Sequence, residues 1–207
     1  MAFRDFTFPR VEHDLGLHLL DADLFSSTPP VAVREVIAEV VREGTQLALA
    51  NSTEKAKSEF IIAPVLLELR RLAGGRIALF SGLEWEVDSA RGLNGYCDFL
   101  LTRGGSEHIL RAPFVAVVEA NNDLIRTGLG QCIAAIVSAR VCNEQAGEPG
   151  RVVYGVVTTG AAWKFIRLEG DEVRLDRSEY FIDDLPKIMG ILMAIVGTAE
   201  HRRPACS

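Results

Sequence analysis

The stretch Phe114–Ala120, FVAVVEA, constrains the fold of this chain more than any other. Apolar side chains stand at successive positions, so an extended segment here can leave neither face to water. A strand of that kind belongs inside a sheet that has helices over both faces. Its one acid, Glu119, stands out in this setting, because carboxylates seldom enter apolar strands without a partner. A second acid, Asp98, sits in the same way in the preceding apolar run, YCDFLLT.

The segments around this strand alternate in type. RIALFS (76–81) suits a short buried strand, and residues 82–94, with Glu84, Glu86 and Asp88 alternating, suit a half-exposed one. Gly92 and Gly95 break the chain before the run that carries Asp98. Gly128 and Gly130 then open a helix, QCIAAIVSARVCN, with Gln131 at its start. After a polar loop at 143–150 come the strand candidates VVYGVVTT, WKFIRLEG and EVRLDR, and a closing helix from Leu185 to about Val196.

Upstream, Pro29-Pro30 precede a helix with the stripe Val33, Val36, Ile37, Val40 and Val41, ending at Gly44. A second helix is predicted from a cap at Asn51, with Glu54 reaching back, to Gly74-Gly75, bent at Pro64. Residues 1–30 show no sustained period and read as an extended arm with one short strand. The class is therefore α/β, with a central mixed sheet flanked by helices. Its organisation reads as an N-terminal arm and packing helix (1–50), a core (51–197) and a flexible tail (198–207).

At 207 residues and 48% apolar composition the chain suits one domain with a sizeable core. A net charge of -6 argues against a generally basic nucleic-acid coat, though not against a local basic groove. Cys97, Cys132, Cys142 and Cys206 form no C-x-x-C pair, so neither a zinc ribbon nor a dithiol motif is indicated, and the pattern fits a reducing, cytoplasmic setting. The N-terminus is too charged for a signal peptide, and the apolar run from Ile188 is too short to span a bilayer, so no membrane role is expected. His13, His18, His108 and His201 lack ligand spacing, and Trp85 and Trp163 read as packing residues.

On a strand, Glu119 and Asn121 share a face, and a neighbouring strand can bring Asp98 to meet Glu119. Two converging carboxylates repel unless a positive charge sits between them, and hard oxygen ligands suit Mg²⁺ or Mn²⁺. In order, Asp98, Glu119-Ala120-Asn121 and Gln131 resemble the PD-(D/E)XK nucleases of the restriction-endonuclease-like fold. Glu59, on the preceding helix, matches the position of that family's helix acid. The flanking segments SEFIIAPVLLELR, GLNGYCDF, GLGQC and VVTTG also resemble uncharacterised bacterial members, and the likeness covers about residues 54–195.

The resemblance implies a restriction-endonuclease-like core in α-β-β-β-α-β order, with Asp98 and Glu119 as metal ligands. Glu59, Asn121 and Gln131 would complete the catalytic set. It implies phosphodiester hydrolysis of DNA, with RNA the lesser alternative. Where the family's motif places lysine, this chain has Asn121, and losing one such electrostatic contact commonly costs on the order of 10²–10³ in rate. Lys164 is a candidate substitute for that charge, and Arg70, Arg71, Arg103, Arg111 and Arg126 are candidates for phosphate contacts.

Blander readings stand beside each of these. Glu59 could pair with Lys55, Asp98 with the amides of Leu93 to Gly95, and Glu119 with Arg126 or Arg140. Gln131 could simply cap its helix, and Asn121-Asn122-Asp123 could be a turn cluster. The alternative function is an inactive relative that binds nucleic acid or a protein partner. A homodimer is admitted on general grounds only.

Overall fold

The computed structural model describes residues 2–104, 108–121 and 124–198. Among these, eight strands form one mixed sheet. They are β1 (His18–Ala22), β2 (Ile77–Asp88), β3 (Leu93–Arg103), β4 (Phe114–Ala120), β5 (Val153–Thr158), β6 (Ala162–Glu169), β7 (Glu172–Asp176) and β8 (Tyr180–Phe181). The order is β1-β7-β6-β5-β4-β3-β2, with β8 pairing β6 beside this path. The pairs β1–β7 and β4–β5 are parallel and the others antiparallel.

As its composition demands, β4 lies inside the sheet and is buried at every residue. Two apolar clusters cover the faces. One holds Ile61, Leu66, Val118, Phe165 and Ile188, beneath α2 (Glu35–Asn51), α4 (Ala63–Leu72) and α6 (Leu185–Thr198). The other holds Phe3, Val11, Val117, Ile133 and Ile136, beneath α1 (Phe8–Leu15) and α5 (Ile125–Gln145).

Residues 1–30 are less extended than their lack of period suggests. Phe3–Asp5 form a 3-10 turn, α1 follows, and β1 is the short strand, paired in register with β7 from His18↔Glu172 to Ala22↔Asp176. Gly44 does not end α2. It lies mid-helix, where a Cβ would stand 2.1 Å from the Phe60 carbonyl oxygen, so the glycine is a notch that lets two helices meet. The buried stripe of α2 is accordingly Val41, Gly44 and Ala48, while Val36 and Val40 are exposed.

The next helix is capped by Thr53, whose hydroxyl accepts from the Ala56 amide at 3.1 Å, and not by Asn51, which ends α2. It begins as α3 (Glu54–Lys57), widens into a π-turn at Ser58–Ile62 and continues as α4. Pro64 falls directly after this widened segment, with helical backbone on both sides of it, so it does not end the helix. Similarly, α5 begins at Ile125, ahead of Gly128 and Gly130. A Cβ on Gly130 would stand 2.2 Å from the Phe6 carbonyl oxygen, so this glycine docks the N-terminal segment on α5.

Side-chain hydrogen bonds tie α5 to β4 at both ends. At the far end Asn143 accepts from the Phe114 amide at 2.7 Å and donates to its carbonyl at 2.9 Å, with the side chain buried. Asn143→Ala leaves both buried backbone groups unpaired and is expected to cost about 2–4 kcal/mol in urea denaturation. At the near end the bond is between Gln131 and Glu119.

Gly92, at φ +75°, does break the chain, closing the 3-10 turn Ser89–Arg91 between β2 and β3, whereas β2 runs through Gly82 and β3 through Gly95, and both strands change face. Phe80, Trp85 and Val87 all join the α5-side cluster, and so do Cys97 and Leu100, whereas Phe99 and Leu101 join the other. Strict alternation cannot give that set, so the side-chain faces slip by one residue in both strands at the same level. The slip lies between Ser81↔Phe99 and Leu83↔Cys97, where Gly82, at φ +64°, stands across from Asp98. A left-handed backbone angle of this size is one glycine adopts without strain.

Candidate functional site

The face change is what brings Asp98 out of the core. Cys97 stays buried, while Asp98 and Phe99 both line a cleft of about 490 Å³ with Glu54, Ser58, Glu59 and Ser81. The β3–β4 ladder runs to Phe99↔Val118, and beyond it Asp98 Oδ2 accepts the Ala120 amide at 2.7 Å. The Asp98 carboxylate thus stands in for a main-chain partner at the end of the ladder.

Glu119 is 1% exposed and turns towards α5, where its Oε2 accepts from Gln131 Nε2 at 2.9 Å. Its Oε1 is buried and accepts from no donor among the described residues. Burial first, and then the charge of Asp98, push the Glu119 carboxyl well above its usual value of 4.5. Burial also raises Asp98, but the Ala120 amide draws it back. Glu119 is therefore the acid that keeps its proton, and Asp98 the one that ionises first.

The other residues singled out by the sequence fall less uniformly. Gln131 lies in the second turn of α5, not at its opening, and it holds Glu119 instead of capping the helix. Asn121 does share the face of Glu119. Its Oδ1 accepts from Thr127 Oγ1 at 3.2 Å, and its Nδ2 would stand 2.9 Å from a Cβ on Gly128, so the amide is folded against α5. Asn122 and Asp123 lie outside the described residues, as do Cys206, His201 and the tail after Thr198.

Glu59 lines the cleft and also forms the pair with Lys55, at 2.8 Å, with the two side chains 51% and 82% exposed. So open an ion pair contributes little to stability. Glu119 pairs with neither arginine. Arg140 binds the Gly170 carbonyl and Asp171, and Arg126 is exposed. Asp98 serves Ala120, not the amides of 93–95. Lys164 bonds the Arg177 carbonyl at 3.4 Å and does not supply the missing charge. Among the arginines, Arg71 is bound to buried Glu68, and Arg103 donates to the Val196 carbonyl.

One site residue is missing from the sequence reading. Glu54 lines the cleft, and its carboxyl is raised by desolvation and then by the charge of Asp98. With Thr53 as the cap, Glu54 has no capping duty, so the misplaced helix start is what concealed it.

A divalent cation fits the donor set in one respect that the fold itself reveals. While Glu119 keeps its proton it shares it with Asp98; once both are ionised, two buried carboxylates side by side are a costly arrangement that a hard cation relieves. Among the described residues no group of three or more His, Cys, Asp and Glu side chains could hold a metal ion. Asp98 and Glu119 would therefore share an ion with backbone and water oxygens, as Mg²⁺ sites commonly do. Neither nearby thiol competes, because burial pushes both Cys97 and Cys132 upward and keeps them protonated.

Since Glu119 must shed its raised proton to take a cation, Mn²⁺ affinity is expected to rise with pH, approaching tenfold per unit below its pKa. Calorimetric titration of Mn²⁺ at two pH values checks this, and equal affinities would remove Glu119 from the ligand set. No protein-family model matches this chain, and no curated protein does. No helix among the described residues is long and apolar enough to cross a membrane.

Proposed function

We propose that this chain is a metal-dependent phosphodiester hydrolase of the PD-(D/E)XK kind, acting on DNA with Mg²⁺ or Mn²⁺. The observation that carries the proposal is the buried Glu119 carboxyl set against a second one, that of Asp98, which lines the cleft. In this reading Asp98 and Glu119 hold the ion, and Gln131 fixes the orientation of the Glu119 carboxylate. Glu54 and Glu59 line the approach, and Asn121 steadies the start of α5. The ion supplies charge neutralisation at the phosphoryl oxygens and acidity to a water.

The decisive assay is nicking of plasmid DNA with Mg²⁺ or Mn²⁺, comparing the wild type with Asp98→Ala. Equal slow cleavage by both would overturn the proposal.

The fold of Asn121 against α5 favours a second reading, in which the site is idle and the domain binds nucleic acid or a protein partner. Asn121→Lys distinguishes the two. On the first reading it raises a weak wild-type rate by about 10²-fold. On the second, with Asp98 and Glu119 still in place, it confers cleavage on a protein that had none. DNA binding that strengthens steeply as salt falls identifies nucleic acid as the ligand.

A further inference from the structure

Resting on that hydrolase reading, we propose that a pocket on the α5 side of the sheet receives one unstacked, amino-bearing nucleobase of the strand being cut. The pocket encloses about 430 Å³ between Phe3, Arg4, Trp85, Asn94, Tyr96 and Gln131, with Glu84 and Glu86 also in its lining. That volume is typical of a small-molecule site, so it suits a single base and is too small for a duplex.

Its position ties it to the candidate metal site. Gln131 lines the pocket and donates to Glu119 Oε2 at 2.9 Å, so one side chain separates the pocket from the buried acid. The β3–β4 ladder stops at Phe99↔Val118, and Asn94–Tyr96 lie past the end of β4. A strand with a phosphate at Asp98 passes from the cleft to the pocket around that end. The N-terminal segment forms the opposite wall. A Cβ on Gly95 would stand 3.0 Å from the Phe3 ring, so this glycine is what lets Phe3 close against β3.

The lining selects a base over a phosphate. Among its described residues Arg4 is the one cation, against the two acids Glu84 and Glu86, so an anion is disfavoured and an N–H donor is drawn in. The amides point the same way. Asn94 Oδ1 is buried without a hydrogen-bond partner, and Gln131, with its Nε2 committed to Glu119, keeps its oxygen as an acceptor. Adenine, cytosine and guanine carry an exocyclic amine for such acceptors, and thymine carries none. Phe3 and Trp85, edge to face at 6.5 Å, supply apolar surface. Tyr96, 65% exposed, offers a ring on which a base can stack.

The chain carries its own reporter. Of its two tryptophans, Trp85 lines the pocket, whereas Trp163 is wholly buried with its indole N–H bonded to the Gly160 carbonyl. The test titrates the protein, without divalent ions, with single-stranded oligo(dA), oligo(dC) and oligo(dT), a duplex and AMP, and follows tryptophan emission. Oligo(dA) and oligo(dC) are expected to quench it, with oligo(dT) about three- to tenfold weaker and the duplex weaker still. Tyr96→Ala, at an exposed position, should weaken oligo(dA) about tenfold. Asn94→Leu should narrow the gap between oligo(dA) and oligo(dT).

Labelled single strands that bind without changing the emission, or with one affinity for oligo(dA) and oligo(dT), overturn the proposal. AMP bound as tightly as oligo(dA) assigns the pocket to a free nucleotide and overturns it too. Plasmid cleavage by the wild type in either case spares the hydrolase reading. Quenching by single strands in a protein that cleaves nothing overturns the hydrolase reading and leaves the base pocket standing. Absence of both overturns both.

Discussion

Glu119→Gln is expected to lower metal-dependent cleavage by about 10²–10³-fold while making the metal-free protein more stable. The two effects have one cause. Burial and the charge of Asp98 raise the Glu119 carboxyl in the folded state above its ordinary value of 4.5. A raised acid binds its proton more tightly when folded. Stability from this group is therefore full below the unfolded value and declines as pH rises through the folded one.

Glutamine carries no charge to be buried, so that decline disappears. The variant should therefore melt higher at neutral pH, each kcal/mol gained raising the midpoint by about 2–4 °C for a chain of this size. Scanning calorimetry without divalent ions, with and without added Mn²⁺, separates the contributions. Mn²⁺ should stabilise the wild type and leave Glu119→Gln unmoved. A variant that melts lower at every pH would mean that Glu119 is held for structural reasons, and the metal reading would lose its main support.

Gly44→Ala should cost about 4 kcal/mol, near the upper end for one added methyl. Its Cβ would stand 2.1 Å from the Phe60 carbonyl oxygen and 2.9 Å from that carbonyl carbon, both main-chain atoms that cannot swing aside. Relief requires α2 to lift from the π-turn Ser58–Ile62. That turn follows directly on Glu54–Lys57, so the cleft should widen as well. The matched control is Gly197→Ala in the last turn of α6, where a Cβ meets nothing within 4 Å among the described residues. There alanine's better helix propensity predicts up to about 1 kcal/mol of stabilisation. Urea denaturation of both variants gives the difference directly, and similar midpoints would disprove the notch.

Much of this arrangement is legible in the residues themselves. The unbroken apolarity of 114–120 fixes β4 inside the sheet, and two acids in apolar strands, Asp98 and Glu119, mark where a site belongs. The strands from Val153 to Asp176 follow from short apolar runs between turn residues. What stays hidden depends on approach between distant segments. Gly44 and Gly130 look like helix boundaries in one dimension, because closeness to Phe60 or Phe6 leaves no local mark. Asn143 reads as loop, although its amide reproduces a strand partner for Phe114.

Caps are similarly ambiguous. Asn51 and Thr53 both suit a helix start, and the choice between them decides whether Glu54 serves the backbone or the cleft. The change of face at Gly82 is the deepest of these omissions. A rule of alternation cannot know that two strands slip together, yet that slip is what turns Asp98 outward.

The pairing of β1 with β7 has a consequence for how the polypeptide is made. His18–Ala22 leave the ribosome long before their partner Glu172–Asp176 is synthesised, so this edge cannot zip until β7 has emerged. Until then a nascent chain exposes an unsatisfied row of amides and carbonyls, the kind of surface on which chaperones and misassembly compete.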